Sequence, residues 1–265
     1  MINRKNKFCK LPESIIKECV ELFNNGISIT KIAKHFNIDR GNLSNRLKEY
    51  GCKIEKHNNK KQVNSNFFNK ITEDSAYWLG YIFTDGYLSD NNRLEICSKD
   101  REHIVKFKEC IQSNHIIGTK NINGKEYYRI SFKDTNIALC LRQLGVHNRK
   151  SYGWEIPNIP KEFYNHFIRG IIDGDGSIYP RNNSCKTLTI RIYSYSEKVL
   201  YSLKDMININ VDLKKHWSVI TSKNRIPYLA INNYDTQKNF LQWLYKDANI
   251  YLERKYKNAL RLLPS

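Results

Sequence analysis

Trp78-Leu-Gly-Tyr-Ile-Phe-Thr-Asp-Gly86 and Ile168-Arg-Gly-Ile-Ile-Asp-Gly-Asp-Gly176 are two spellings of one pattern, an apolar run with glycine third that closes on Asp-Gly. The closing acids, Asp85 and Asp175, stand 90 positions apart, which leaves room for a complete structural unit between them. Small residues recur four apart in both copies, at Gly80/Thr84 and Gly170/Gly174. Residues at that spacing share one face of a helix. Two such helices can therefore meet backbone to backbone and set Asp85 and Asp175 side by side at one end. A pair of carboxylates placed there is what a divalent-metal site needs.

Two plainer accounts compete with this one. Small-xxx-small spacing also marks membrane helix dimers, but neither run is long enough to span a bilayer. Asp74 and Asp85 bracket the first, and Lys161, Glu162 and Arg169 interrupt the second. A single Asp-Gly is often just a turn; the same ending in two matched repeats favours the metal site.

Both segments resemble the LAGLIDADG motif of homing endonucleases, in the form that carries two motifs on one chain. The second copy is close to the consensus. The first departs from it at Phe83, where the motif usually has its earlier acid. The approach Ile156-Pro-Asn-Ile-Pro-Lys-Glu-Phe-Tyr-Asn-His-Phe-Ile-Arg-Gly170 also resembles the usual lead into a second motif. The resemblance covers roughly residues 70–262. It implies that Asp85 and Asp175 are catalytic metal ligands, one for each DNA strand, with the carbonyls of Thr84 and Gly174 as further ligands. The implied cofactor is Mg²⁺ or another divalent cation such as Mn²⁺, since such ions prefer hard oxygen donors.

The same resemblance places a basic or polar residue near each cut phosphate. Lys133, ending Tyr127-Tyr-Arg-Ile-Ser-Phe-Lys133, is the best match in the first repeat. The second repeat offers Asn232, Asn233 or Tyr234 instead, with Lys223 nearby. Ser98 and Lys99, and Ser194 and Tyr195, are secondary candidates.

Composition agrees with a polyanion partner. The chain has 265 residues, 44 Lys and Arg against 26 Asp and Glu, and a net charge of +18. Such a field attracts nucleic acid and speeds its capture. The polar, basic start Met1-Ile-Asn-Arg-Lys-Asn-Lys does not read as a signal peptide. Seven cysteines form no CxxC pair, which fits reduced thiols. The expectation is an intracellular protein that is not secreted and has no membrane partner.

Four segments follow from the patterning: residues 1–50, a basic linker at 51–70, a first repeat at 71–150 and a second at 151–265. Within the first segment, helical periods over Glu13 to Asn24 and around Ile32 to Phe36 precede Asp39, a good N-cap. The section from Ser28 to Leu47 resembles a helix-turn-helix of resolvases and transposases. In that arrangement the third helix enters the major groove. Arg40, Asn42, Ser44, Asn45 and Arg46 would face DNA, while Leu43 and Leu47 pack inward.

Each repeat reads helix–strand–strand–helix–strand–strand–helix, which predicts an α+β fold. It comprises two pseudo-symmetric αββαββα units with antiparallel sheets, plus the small all-α N-terminal domain. The expected positions are a motif helix at 75–85, strands near Tyr87 and at 93–98, 115–121 and 127–133, and helices at 100–111 and 134–144. The second repeat has a helix at 161–174, strands at 177–181, 187–194, 213–220 and 227–233, helices at 196–207 and 235–246, and a terminal helix at 251–262. Alternation in Thr187 to Ser194 sends Leu188, Ile190 and Ile192 one way and Thr189, Arg191 and Tyr193 the other. In the strand ending at Lys133, Tyr127, Arg129, Ser131 and Lys133 share the polar face. Faces bearing Arg129, Arg191 and Tyr193 suit the edges of bases in a major groove.

Double-stranded DNA is the expected partner, with intron RNA as the alternative. A two-motif chain supplies both halves of its own twofold, which predicts a monomer. The implied activity is sequence-specific, metal-dependent cleavage of both DNA strands at a long asymmetric site, as in intron- or intein-type mobile elements. An RNA maturase, or a DNA-binding regulator with a retired nuclease core, is the competing reading.

Overall fold

A computed structural model describes residues 12–54, 61–148, 155–181, 187–214, 216–223 and 225–263. The chain divides into two compact units, Met1–Lys60 and Lys61–Ser265.

The first unit has three helices: α1 (Glu13–Asn24), α2 (Ile29–His35) and α3 (Arg40–Glu49). Side-chain caps start the last two. Ser28 accepts from the amide of Lys31, and Asp39 from that of Asn42 at 2.9 Å. Each cap supplies an acceptor to an amide that has no partner within its helix. Asn37 takes a positive φ of 52° and reverses the chain between α2 and α3. Cys19, Ile32, Ala33, Leu43 and Leu47 form the core. Leu43 and Leu47 thus point inward as their spacing indicates.

The second unit contains two copies of one arrangement. The first holds α4 (Glu73–Asp85), β1 (Gly86–Leu88), β2 (Arg93–Ser98), α5 (Arg101–Cys110), β3 (Gly118–Ile122), β4 (Lys125–Lys133) and α6 (Thr135–Gln143). A single 3-10 turn at Lys161–Phe163 leads into the second copy. That copy holds α7 (Tyr164–Asp175), β5 (Gly176–Pro180), β6 (Leu188–Tyr193), α8 (Glu197–Asn208), β7 (Trp217–Ser222), β8 (Arg225–Ile231) and α9 (Tyr234–Leu244). A terminal helix, α10 (Glu253–Ala259), closes the chain. Both sheets are antiparallel and follow one order, β1-β2-β4-β3 and β5-β6-β8-β7.

Most element boundaries follow the patterning, and the departures have local causes. α4 begins earlier than expected because Thr72 and Ser75 cap each other, with Thr72 N donating to Ser75 Oγ at 2.8 Å. Strand β3 starts at Gly118 rather than 115, because His115 is buried and held by the Ser113 hydroxyl at 2.9 Å. Strand β4 starts two residues early because Asn123 and Gly124, both at positive φ, make a two-residue turn. Strand β7 starts at Trp217 rather than 213, and β8 spans Arg225–Ile231.

The segment expected as a linker at 51–70 divides between the units: Cys52 and Ile54 pack against the first unit's core, and Lys61 onward belongs to the second. Residues 55–60 lie outside the described residues. In the stretch from Lys61 onward, Asn64 N donates to Ile111 O at 2.8 Å, and Ser65 donates to Asp134. Phe68 sits in the core at 3% exposure. Burial of an aromatic ring outweighs the polar composition of this stretch.

One hydrophobic cluster runs through both copies, from Phe68 to Leu262. It lies between the helices and the inward strand faces, so each sheet keeps one open face. Among the described residues, no helix is long and apolar enough to cross a membrane.

Candidate active site

Helices α4 and α7 meet through their small residues. A β-carbon added to Gly80 would stand 2.1 Å from Phe167 O, and one on Gly170 would stand 2.0 Å from Tyr77 O. Such separations mean that backbone touches backbone, which only glycine permits. The contact continues to the helix ends, where a β-carbon on Gly174 would meet Thr84 Oγ1 at 1.9 Å. Thr84 and Gly174 each precede a motif acid. Their contact brings the final residues of both helices, Asp85 and Asp175, to one junction, and both acids are exposed there.

The junction suits a hard cation. Its donors are two carboxylates and the main-chain oxygens of Thr84 and Gly174, all at helix C-termini where the helix dipole is negative. Among the described residues no group of three or more His, Cys, Asp or Glu side chains gathers as a metal site, so the junction offers two carboxylates and no third. A Mg²⁺ ion needs few protein ligands because it retains several waters. The donor set therefore fits a divalent ion.

An open cleft of about 460 Å³ adjoins the first acid, lined in part by Tyr81, Asp85, Glu95, Lys99, Lys120 and Arg254. The Tyr81 hydroxyl donates to Cys97 O at 3.3 Å. Burial, and then the Asp85 carboxylate beside it, push its pKa well up. Glu95 accepts from Lys120 at 3.1 Å and from Arg129 at 3.3 Å. These three residues occupy the open face of the first sheet.

Lys133 is not in this cleft. Gly86 pairs with Ile96 and Ile96 with Ile130, so Asp85 stands level with Arg129. Lys133 lies four residues farther along β4, about 13 Å away at the rise of a strand. The register thus sets Lys133 apart from the first acid, and the cations that line the cleft are Lys99, Lys120 and Arg254. A strand's end can be read from sequence; which end faces the helix junction depends on sheet register.

The same register aligns the two sheets. Glu95 corresponds to Arg191, Cys97 to Tyr193, Arg129 to Tyr228 and Lys99 to Tyr195. Arg191, Thr189 and Tyr193 share the open face of the second sheet, as the alternation indicates. The Arg191 guanidinium lies 4.5 Å from the centre of the Tyr228 ring, and the hydrogen bond that it donates to Tyr193 raises its pKa. Opposite charges at one equivalent position make the two faces chemically unequal. In the N-terminal unit Arg40, Asn42 and Asn45 are exposed on α3, whereas Arg46 pairs with Glu49 at 2.7 Å.

Beneath the junction lies a buried polar network that pattern reading did not single out. Asp173, at the place of Phe83 in the first copy, accepts from Tyr77 Oη at 2.7 Å and from Leu252 N at 2.8 Å. Burial raises its pKa. Arg169, 1% exposed, donates to Ile250 O at 2.8 Å and to Leu244 O at 2.7 Å. Lys255, 3% exposed, donates to Ile172 O, Asp173 O and Gly176 O at 2.5, 2.9 and 2.7 Å. One signal was available in the sequence. Leu252, Lys255, Ala259 and Leu262 recur at helical spacing, which puts this lysine on the buried stripe of the terminal helix.

Two histidines in this layer set an acid limit on stability. Burial, aided by Lys106, Lys255 and Arg254, lowers the pKa of His103 to about 3. Burial and Arg169 lower that of His166 to about 4. Between those values and the ordinary histidine pKa of about 6.5, the unfolded chain binds more protons than the folded one. Stability should therefore fall as pH drops below about 6.5, by up to roughly 1.4 kcal/mol per pH unit for each histidine. Asp173 acts in the opposite sense below its raised pKa. Urea unfolding at pH 7 and pH 5 checks the balance; a midpoint unchanged or higher at pH 5 would refute it.

Comparison with known proteins bears directly on this arrangement. A profile of the WhiA LAGLIDADG-like domain matches residues 74–162. A profile of the LAGLIDADG-like domain matches residues 162–244. The chain carries two LAGLIDADG-like domains. Among solved structures, the homing endonuclease I-WcaI bound to its DNA recognition sequence matches with a TM-score of 0.52 at 14% identity, over 80% of this chain and 97% of that one. Full-length DUF199/WhiA from Thermatoga maritima matches with a TM-score of 0.48 at 14% identity, over 75% of this chain. The match spans 63% of the WhiA protein's length. The homing endonuclease I-DmoI in complex with DNA and Mn matches with a TM-score of 0.42 at 16% identity, over 71% of this chain and 99% of that one. No curated protein sequence matches the chain. The LAGLIDADG-like pair thus has the fold of I-WcaI, with two αββαββα repeats and two four-stranded sheets.

Proposed function

We propose that this LAGLIDADG-like chain is a sequence-specific, metal-dependent DNA endonuclease that cuts both strands of a long asymmetric site, as a homing endonuclease does. The contact of Thr84 with Gly174 carries this reading, because it puts two acidic helix ends at one junction between two open sheet faces. A divalent ion bound there would polarise the scissile phosphate and lower the pKa of an attacking water. Asp85 and Asp175 would hold the ion, with the carbonyls of Thr84 and Gly174. Lys99, exposed at the rim of the cleft, is placed to neutralise charge on the phosphate of one strand. Its counterpart Tyr195 carries no charge, which favours unequal rates on the two strands.

Base reading falls to the sheet faces. Arg129 and Lys120 flank Glu95 on one, and Arg191, Tyr193 and Tyr228 line the other. Arginine suits guanine edges and glutamate suits the cytosine amino group. The Glu95/Arg191 reversal therefore favours a target whose half-sites differ. Helix α3 extends recognition into a major groove through Arg40, Asn42 and Asn45, and the chain acts as a monomer.

The WhiA-type match over residues 74–162 favours a second reading, a DNA-binding regulator that does not cut. Incubating the purified chain with Mg²⁺ and DNA from its own uninterrupted insertion locus separates the two. Linear product with defined ends is expected. Specific binding without any nick or break would transfer the conclusion to the regulator.

A further inference from the structure

We propose that Lys255 is a positioning residue for the second half of the cleavage site, an inference that rests on the nuclease reading above. Its three ammonium protons go to Ile172 O, Asp173 O and Gly176 O. Those acceptors bracket Gly174 and Asp175, the two residues assigned to the metal in this half. Lysine has three donors and no acceptor, so this set uses all it can give. The ammonium thereby ties the last turn of α7 to the first residue of β5 and fixes the backbone that turns between them.

A cation is the appropriate group at this place. The final carbonyls of a helix lack partners along the helix and carry its negative end. A glycine cap or a water would satisfy them with far less burial cost than a lysine that is 3% exposed. The lysine also feels the carboxylates of Asp173, Asp85 and Asp175, which oppose the effect of its burial. It offsets part of the repulsion between two motif acids held at one junction. Neighbouring side chains hold it in turn: Asn258, three residues farther along α10, donates to Ile178 O at 2.9 Å and pins that helix to β5. Arg254 pairs with Asp100 at 3.3 Å and anchors the helix start.

The test uses Lys255→Met, which keeps the length and removes the charge and donors. Mn²⁺ added to the full chain without DNA, followed by the electron paramagnetic resonance signal of the free ion, reads metal affinity with no catalysis involved. Affinity is expected to fall at least tenfold in Lys255→Met. On any duplex that the wild type cuts, the variant should accumulate product nicked only in the strand served by Asp85, while the strand served by Asp175 stays intact. A residue that merely stabilised the fold would lower both strand rates together and leave Mn²⁺ affinity in the folded fraction unchanged; that result overturns the proposal. If methionine does not fold, Lys255→Gln is measured in the same way and judged by the same two readouts. A wild type that cuts DNA beside a variant with unaltered Mn²⁺ affinity and strand ratio refutes the positioning role alone. A wild type that neither binds Mn²⁺ nor cuts overturns the nuclease reading and this inference together.

Discussion

Asp85→Asn and Asp175→Asn should each abolish double-strand cleavage, by about a thousandfold or more, while leaving DNA affinity within a few-fold of wild type. The reason is the geometry of the junction. Each acid ends one motif helix, and the Thr84–Gly174 contact holds those ends together. Asparagine keeps the size and one oxygen but removes the charge that retains a divalent ion. Loss of the metal's electrostatic support costs several kcal/mol of transition-state stabilisation, and about 4 kcal/mol corresponds to a thousandfold in rate. On the proposed reading DNA is held by the sheet faces and neither acid is a contact, so binding should survive. Gel-shift affinities and cleavage rates measured on one duplex read both quantities. Either variant cutting both strands at the wild-type rate would remove these acids from the mechanism.

The second large effect concerns the helix seam. Gly170→Ala places a methyl group 2.0 Å from Tyr77 O and 2.8 Å from Tyr81 N, and neither backbone atom can move aside without moving α4. Alanine gains about 1 kcal/mol in intrinsic helix propensity over glycine. Overpacking against a fixed backbone costs about 3 kcal/mol or more, so the clash wins. For a unit of this size Tm should fall by roughly 4–8 °C. Gly80→Ala, facing Phe167 O at 2.1 Å, should behave alike. Thermal unfolding of both variants decides the matter. A Tm equal to or above that of the wild type would mean that the helices do not meet at these glycines. Because the seam also sets the separation of Asp85 and Asp175, metal affinity should weaken even in the fraction that remains folded.

Legibility in the sequence followed the range of the interaction. The motif helices, the small residues between them and the closing acids all leave local signals: small residues four apart, a run of apolar residues, an Asp-Gly ending. Strand alternation separated Leu188, Ile190 and Ile192 from Thr189, Arg191 and Tyr193 correctly, because the period of two is a property of the strand alone. Residues 62–70 misled because their composition is polar while Phe68 alone supplies the burial that docks them. Lys133 misled for another reason. Its place at the end of β4 was clear, yet only the pairing of β1, β2 and β4 shows that this end points away from Asp85.

The buried layer under the site was the least legible. Asp173 occupies a motif position and could be named, but its partners Tyr77 and Leu252 lie 96 and 79 residues away. Lys255 reaches the end of α7 across 79 to 83 residues. A single sequence carries no signal for a hydrogen bond at that separation beyond a lysine on an otherwise apolar stripe.

By itself the sequence determined that there are two repeats, that each opens with a helix ending in an acid, and that the two copies are unequal at Phe83 and Asp173. These follow from spacing and side-chain chemistry, which act over one or two turns of chain. The tertiary structure alone decided which cations line the cleft by the first acid, which residues of the supposed linker belong to the core, and that Lys255 binds the end of the second motif helix. Those outcomes depend on register and on packing between segments far apart in the chain, where the physics is set by which backbones can approach and which buried groups find partners.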